Sequence, residues 1–116
     1  MKLKLHTEGN FDSAHYLDGY VGDCKNLHGH RWNVIVDVEG VELDDCGMLW
    51  DFKNLKAILK EFDHKCLNDL GGFKNINPTA ENITILVHSM LKEKNPKLSF
   101  KVRVEESPGS WCEVKK

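Results

Sequence analysis

The feature that most constrains this chain is an alternation. In "HRWNVIVDVEG", Trp32, Val34, Val36 and Val38 share one parity, while Arg31, Asn33, Asp37 and Glu39 fall on the other. Successive side chains of an extended strand point to opposite faces, so this run demands a strand with one buried and one polar face. The period then changes. In "DFKNLKAILKEF", Leu55, Ile58, Leu59 and Phe62 recur at helical spacing, and Ile83, Leu86, Val87, Met90 and Leu91 do so again further on. A half-buried sheet needs an apolar cover, and two amphipathic helices supply one.

The remaining elements follow from local signals. Lys2 to Ser13 reads as a strand with Leu3, Leu5 and Phe11 at matching parity, although Gly9 and Asn10 suggest a bulge. If the alternation holds, His15 lies on that same parity. "GGFKNINP" reads as a loop; Pro78 then favours a helix start, Thr79 can cap it, and Asn95-Pro96 ends it. "LSFKVRVEE" is a third strand, and "SWCEVKK" a short fourth beyond the Ser107-Pro108-Gly109 turn. The predicted order is ββααββ, an antiparallel sheet with two helices on one face, in the α+β class. Residues 1–116 carry no repeat or linker and fit one domain.

Charge and composition narrow the function classes. A net charge of -2 gives no electrostatic case for nucleic acid. No apolar run reaches the ~18 residues of a membrane span. The start, "MKLKLHTEGNFDSAH", lacks the apolar segment of a signal peptide, so the cytoplasm is the expected compartment. Cysteines 24, 46, 66 and 112 show no CxxC pair; in that compartment Cys46, Cys66 and Cys112 read as reduced thiols, while Cys24 is set apart by its neighbours. The polar parity, with Arg31, Asn33 and Asp37 on one strand and Lys101, Arg103 and Glu105 on another, faces solvent or lines a wet channel in an oligomer.

The chemistry concentrates in "CKNLHGH". His28 and His30 project to one side of a strand, about 7 Å apart at two residues' spacing, and Gly29 removes the side chain between them. They share the parity of Trp32, and His15 is placed to be a third ligand. Three neutral imidazoles with an open fourth position are the pattern of catalytic zinc; the plainer alternative is a set of surface or hydrogen-bonded histidines. Cys24 either completes a closed structural site or stands beside the metal as a thiolate whose pKa the cation lowers. Asp63-His64 follows the first helical stripe, where the dipole favours a protonated histidine and the acid can orient it; a solvated helix end would look the same. Glu106 continues the parity of Phe100, Val102 and Val104. A carboxylate there requires donors, such as the N–H groups of an aminopyrimidinone, unless the strand stops at Val104 and both Glu105 and Glu106 are solvated. His6 lies on the polar parity and His88 off the helical stripe, so neither receives a role.

"FDSAH", "CKNLHGH", "LWDF", "FDHKCLND", "NPTAEN" and "VEES" stand in an order and spacing that resemble the 6-pyruvoyltetrahydropterin synthase family, nearest its 6-carboxy-5,6,7,8-tetrahydropterin synthases of the queuosine pathway. The resemblance spans residues 11–106. It implies the tunnelling fold (T-fold), in which subunits join their sheets into a trimeric barrel and two trimers often stack, so that the polar sheet face lines the tunnel. It implies zinc held by His15, His28 and His30, with Cys24 as catalytic base and Asp63 with His64 as a relay supplied across a subunit interface. Glu106 matches the acid that anchors the pterin ring, while Thr79 and Glu81 lie in a segment lining the pocket. The implied reaction converts 7,8-dihydroneopterin triphosphate and water to 6-carboxytetrahydropterin, acetaldehyde and triphosphate. The alternatives are triphosphate elimination to 6-pyruvoyltetrahydropterin, another side-chain lyase activity on the same substrate, or a non-enzymatic module in which Cys24 closes the zinc site.

Overall fold

Two strands of 13 residues, β1 (Leu3–His15) and β2 (His28–Gly40), form the backbone of the sheet in the computed structural model, which describes residues Met1–Lys116. Their antiparallel register runs unbroken from Leu3 opposite Gly40 to His15 opposite His28. The bulge expected at Gly9 and Asn10 therefore does not form. Gly9 answers a different need: a Cβ there would lie 2.7 Å from Leu59 Cδ1, so the missing side chain lets a helix approach the strand closely.

After β2 come α1 (Lys53–Lys60), β3 (Lys65–Cys66), α2 (Ala80–Lys94), β4 (Ser99–Ser107) and β5 (Ser110–Lys115). The sheet order is β3-β1-β2-β4-β5, so five strands replace the expected four. The addition is β3, which runs parallel to β1 at Ser13 and Ala14; two residues are too few to show periodicity. The segment read as loop before α2 also contains a 3-10 turn, Gly71–Phe73, whose Phe73 is buried.

Alternation sets the core. Trp32, Val34, Val36 and Val38 are all fully buried, and Phe100, Val102 and Val104 of β4 join them on the same face. Leu55, Ile58 and Leu59 of α1 and Ile83, Val87 and Leu91 of α2 close that face in one continuous cluster. Each such side chain contributes about 1.5–3 kcal/mol when fully buried, which outweighs any single cap or turn. Local signals still place the ends. Asp51 of "LWDF" accepts the Lys53 N–H at 2.9 Å and starts α1, while Thr79 Oγ1 accepts the Asn82 N–H at 3.1 Å and starts α2. His88 departs from expectation. It is buried, with Nε2 3.3 Å from the Lys116 carbonyl, because α2 packs against β5 as well as β4 and is covered beyond its apolar stripe.

The opposite sheet face is a mesh of charges. Arg31 donates twice to Asp12, at 2.9 and 3.1 Å, and Asn33 donates to Glu105 at 3.2 Å. Buried Asp37 meets His6 at 2.6 Å, Lys101 at 3.4 Å and Lys4 at 3.6 Å. Burial alone would raise the Asp37 carboxyl pKa, but the bonds from His6 and Lys101 bring it below its ordinary value. No helix is long and apolar enough to cross a membrane.

Candidate metal centre

At the open end of the β1–β2 pair, His15 and His28 face each other across the strands and His30 lies two residues along. Their ring centroids are 4.5, 4.9 and 5.2 Å apart. Trp32 stands edge-on to both His15 and His30, at 5.0 and 5.2 Å, and forms the floor of the cluster. In this convergence, alternation turns the three side chains to one face, and the β1–β2 register sets His15 opposite His28. Gly29 is not what permits it, since a Cβ there would meet nothing nearer than the Ser13 carbonyl at 3.9 Å.

Two backbone carbonyls orient the rings. His15 Nδ1–H donates to the Pro78 carbonyl and His28 Nδ1–H to that of Asn26, both at 2.7 Å. A carbonyl only accepts, so each proton sits on Nδ1 and each Nε2 keeps its lone pair. Burial pushes the His15 and His30 pKa values down, which favours their neutral forms. The Nε2 atoms of His15 and His30 are buried with no hydrogen-bond partner. Buried polar atoms are rarely left so, and three converging imidazoles, two of them with orphaned nitrogens, fit a divalent transition metal.

Glu106 joins them. Its parity holds, and a register shift between Glu105 and Ser107 makes it the extra residue of a β-bulge against β5. Bulges re-aim side chains. Here the carboxylate lies 3.0 Å from His30 Nε2 and 3.7 Å from His15 Nε2, without hydrogen-bond direction. One donor atom from each of His15, His28, His30 and Glu106 lies within 4.8 Å of all the others.

Cys24 is outside that group. It sits half-buried in a 3-10 turn, Asp23–Lys25, and its carbonyl accepts the Leu17 N–H at 2.9 Å, which ties the turn to the chain leaving His15. The turn is entered through Gly22 at φ 146°, a conformation open to glycine, where a Cβ would also strike the Tyr20 ring at 2.8 Å.

Asp63 and His64 lie elsewhere, on the outer edge of β1. Asp63 Oδ1 accepts the Asp12 N–H at 2.8 Å, His64 N–H donates to the Asp12 carbonyl at 2.6 Å, and the two side chains meet at 2.9 Å. The bond from Asp12, then that from His64, lowers the Asp63 pKa. His64 adopts φ 56°, in the left-handed region, and reverses the chain from α1 into β3 at a cost of about 1–2 kcal/mol. Its ring is largely exposed, and neither residue belongs to the four-residue group.

Known proteins resemble this chain in sequence and fold. A family model described as 6-pyruvoyl tetrahydropterin synthase matches residues 4–116. This chain belongs to the 6-pyruvoyl tetrahydropterin synthase family. Within it, a 6-carboxy-5,6,7,8-tetrahydropterin synthase of Haemophilus influenzae is 30% identical over 138 residues, covering 96% of this chain and 97% of that one. A Pyrococcus horikoshii protein provisionally given the same name is 43% identical over 68 residues, 58% of this chain and 43% of its own length. The solved 6-pyruvoyl tetrahydropterin synthase of Caenorhabditis elegans superposes with a TM-score of 0.83 at 29% identity, over 100% of this chain and 96% of that one.

In this member of the synthase family, then, the three histidines expected from spacing do converge, while Asp63 and His64 form their own pair at the sheet edge. Thr79 spends its hydroxyl on capping α2, and Glu81 is exposed in the first turn of that helix. The part of Glu106 in the metal-competent group escaped sequence reasoning, which assigned it to catalysis and substrate binding and not to the metal. The signal that could have found it was the same parity argument, carried as far as the end of β1. The Pro78 and Asn26 carbonyls were not legible, because backbone groups carry no sequence signature.

Proposed function

We propose that this chain is a zinc-dependent 6-carboxy-5,6,7,8-tetrahydropterin synthase, converting 7,8-dihydroneopterin triphosphate and water to 6-carboxytetrahydropterin, acetaldehyde and triphosphate in queuosine biosynthesis. The observation that carries it is the convergence of His15, His28 and His30, with the Nε2 atoms of His15 and His30 buried and unpartnered and Cys24 outside the set. A closed structural site would draw the sulfur in.

The chemistry a metal supplies at such a site is Lewis-acid polarisation of the hydroxyls on the substrate side chain. His15, His28 and His30 would hold it, the Nδ1 bonds of His15 and His28 to backbone carbonyls keeping those two Nε2 atoms aimed inward. Cys24, as thiolate, accepts a proton from the side-chain carbon. Glu106 accepts N–H groups of the pterin ring, and Thr79 and Glu81 border the pocket. Asp63 orients His64 through their 2.9 Å contact, and His64 returns a proton to substrate. Because this pair lies at the sheet edge, it would serve a neighbouring subunit in a trimer or a dimer of trimers.

Purified protein loaded with zinc and supplied with 7,8-dihydroneopterin triphosphate is expected to release acetaldehyde. A pyruvoyl product without acetaldehyde overturns the carboxy-synthase reading in favour of elimination. Cys24→Ala should keep metal and fold while losing about 10²-fold or more in turnover, the scale of general base catalysis. His28→Ala should shed the metal. If Cys24→Ala instead sheds metal and unfolds, the closed structural site is correct.

A further inference from the structure

The chain between β1 and the Cys24 turn lies outside the sheet, yet its backbone is paired as though it were a strand. Leu17 N–H donates to the Cys24 carbonyl on one side. On the other side the partners are side chains. Asn68 Oδ1 accepts the Tyr16 N–H at 3.0 Å while its Nδ2 donates to the Tyr16 carbonyl at 2.9 Å. Asn77 does the same for Asp18, at 2.9 and 2.8 Å. In an extended chain the N–H and C=O of one residue point the same way, and a primary amide offers one acceptor and one donor side by side. Each asparagine therefore stands in for one residue of an absent neighbouring strand.

Both posts are anchored. Asn68 sits in a 3-10 turn, Leu67–Asp69, behind the buried Leu67. The Asn77 carbonyl accepts the Thr79 N–H and Asn82 Nδ2, both at 2.9 Å, which joins it to the start of α2. No other side chain does this work. Aspartate would set an acceptor against the carbonyl, and glutamine would add a methylene and push the backbone away.

We propose that Asn68 and Asn77 are positioning residues, whose amides extend β1 by a ladder through residues 16–18 and so fix the Cys24 turn against the chain leaving His15. The functional part rests on Cys24 acting as the base, as proposed above.

Native-state hydrogen exchange on the zinc-loaded wild-type protein tests the ladder without a variant. The Tyr16, Leu17 and Asp18 amides are expected to exchange at least about tenfold slower than unfolded chain, and free exchange overturns the proposal. Asn68→Asp and Asn77→Asp keep the acceptor and lose the donor. Each should retain wild-type metal content and a KM within about twofold while kcat falls, by about tenfold or more at Asn68 and less at the more exposed Asn77. The pH profile of Cys24 alkylation by iodoacetamide, read on the Cys24 peptide by mass spectrometry, should shift in the same order. Wild-type kcat and an unshifted profile in Asn77→Asp, whether or not Asn68→Asp folds, overturn the proposal. Full turnover in Cys24→Ala would overturn the catalytic reading of Cys24 instead, and the alkylation profile would then decide the positioning claim alone.

Discussion

Glu106 sits where two requirements meet. Its carboxylate lies near His30 and His15, yet it makes no directed hydrogen bond to them, so its lone pairs are free for a ligand's N–H groups. A group that anchors substrate and a group that holds metal respond differently to the loss of charge. Glu106→Gln keeps the size and removes the charge. We expect unchanged metal stoichiometry, measured by elemental analysis, and a KM raised by roughly 10–100-fold, the weight of one charge-assisted hydrogen bond of about 1.5–3 kcal/mol. Metal loss in this variant would identify the carboxylate as a ligand instead. Parity along the strand and the "VEES" motif together chose Glu106 over Glu105 from sequence. That the side chain turns toward the histidines follows from the bulge against β5, a property of strand pairing that no local window contains.

At the scale of elements, α2 does more than cover the sheet. Its N-terminal turn presents the Pro78 carbonyl to His15, the Asn77 amide to Asp18 and the Thr79 hydroxyl to its own first turn. Removing that cap by Thr79→Ala should destabilise the protein by about 1 kcal/mol in urea denaturation, with the slope unchanged. A change under a few tenths would mean the cap contributes nothing. The Pro-Thr start and Asn-Pro end of this helix were readable because each acts within a few residues. The strand β3 was not. It exists because His64 adopts a left-handed conformation and Asp12 receives both its backbone and Asp63, contacts about fifty positions apart.

The whole molecule has two open sheet edges. β3 pairs with β1 only at Ser13 and Ala14, leaving the outer edge of β1 without a strand partner up to Phe11, and β5 ends the sheet on the other side. Beside the β1 edge a cavity of about 800 Å³ opens against α1, lined by residues that include Gly9, Phe52, Leu59 and Asp63. Long open edges invite pairing with other chains, and closure into a barrel removes them. Sedimentation equilibrium is expected to report three or six chains per particle at micromolar concentration; a stable monomer would exclude closure of the sheets and leave Asp63-His64 without a site to serve. The charge mesh on the polar face, from Asp12–Arg31 to Arg103–Glu113, suits an enclosed wet lumen better than a dry interface.

The amino-acid sequence by itself determined which residues share a face, where α2 starts and stops, and that His28 and His30 project to one side of a strand with His15 on the matching parity of its neighbour. Those properties depend on alternation and on neighbours a few positions apart. The tertiary structure alone decided that Glu106 joins the histidines, that Asn68 and Asn77 complete the backbone of residues 16–18 from 52 and 59 positions away, and that Asp63-His64 stands apart at the edge. Such contacts arise only when distant segments are packed together, and periodicity carries no record of which distant partner a side chain will meet.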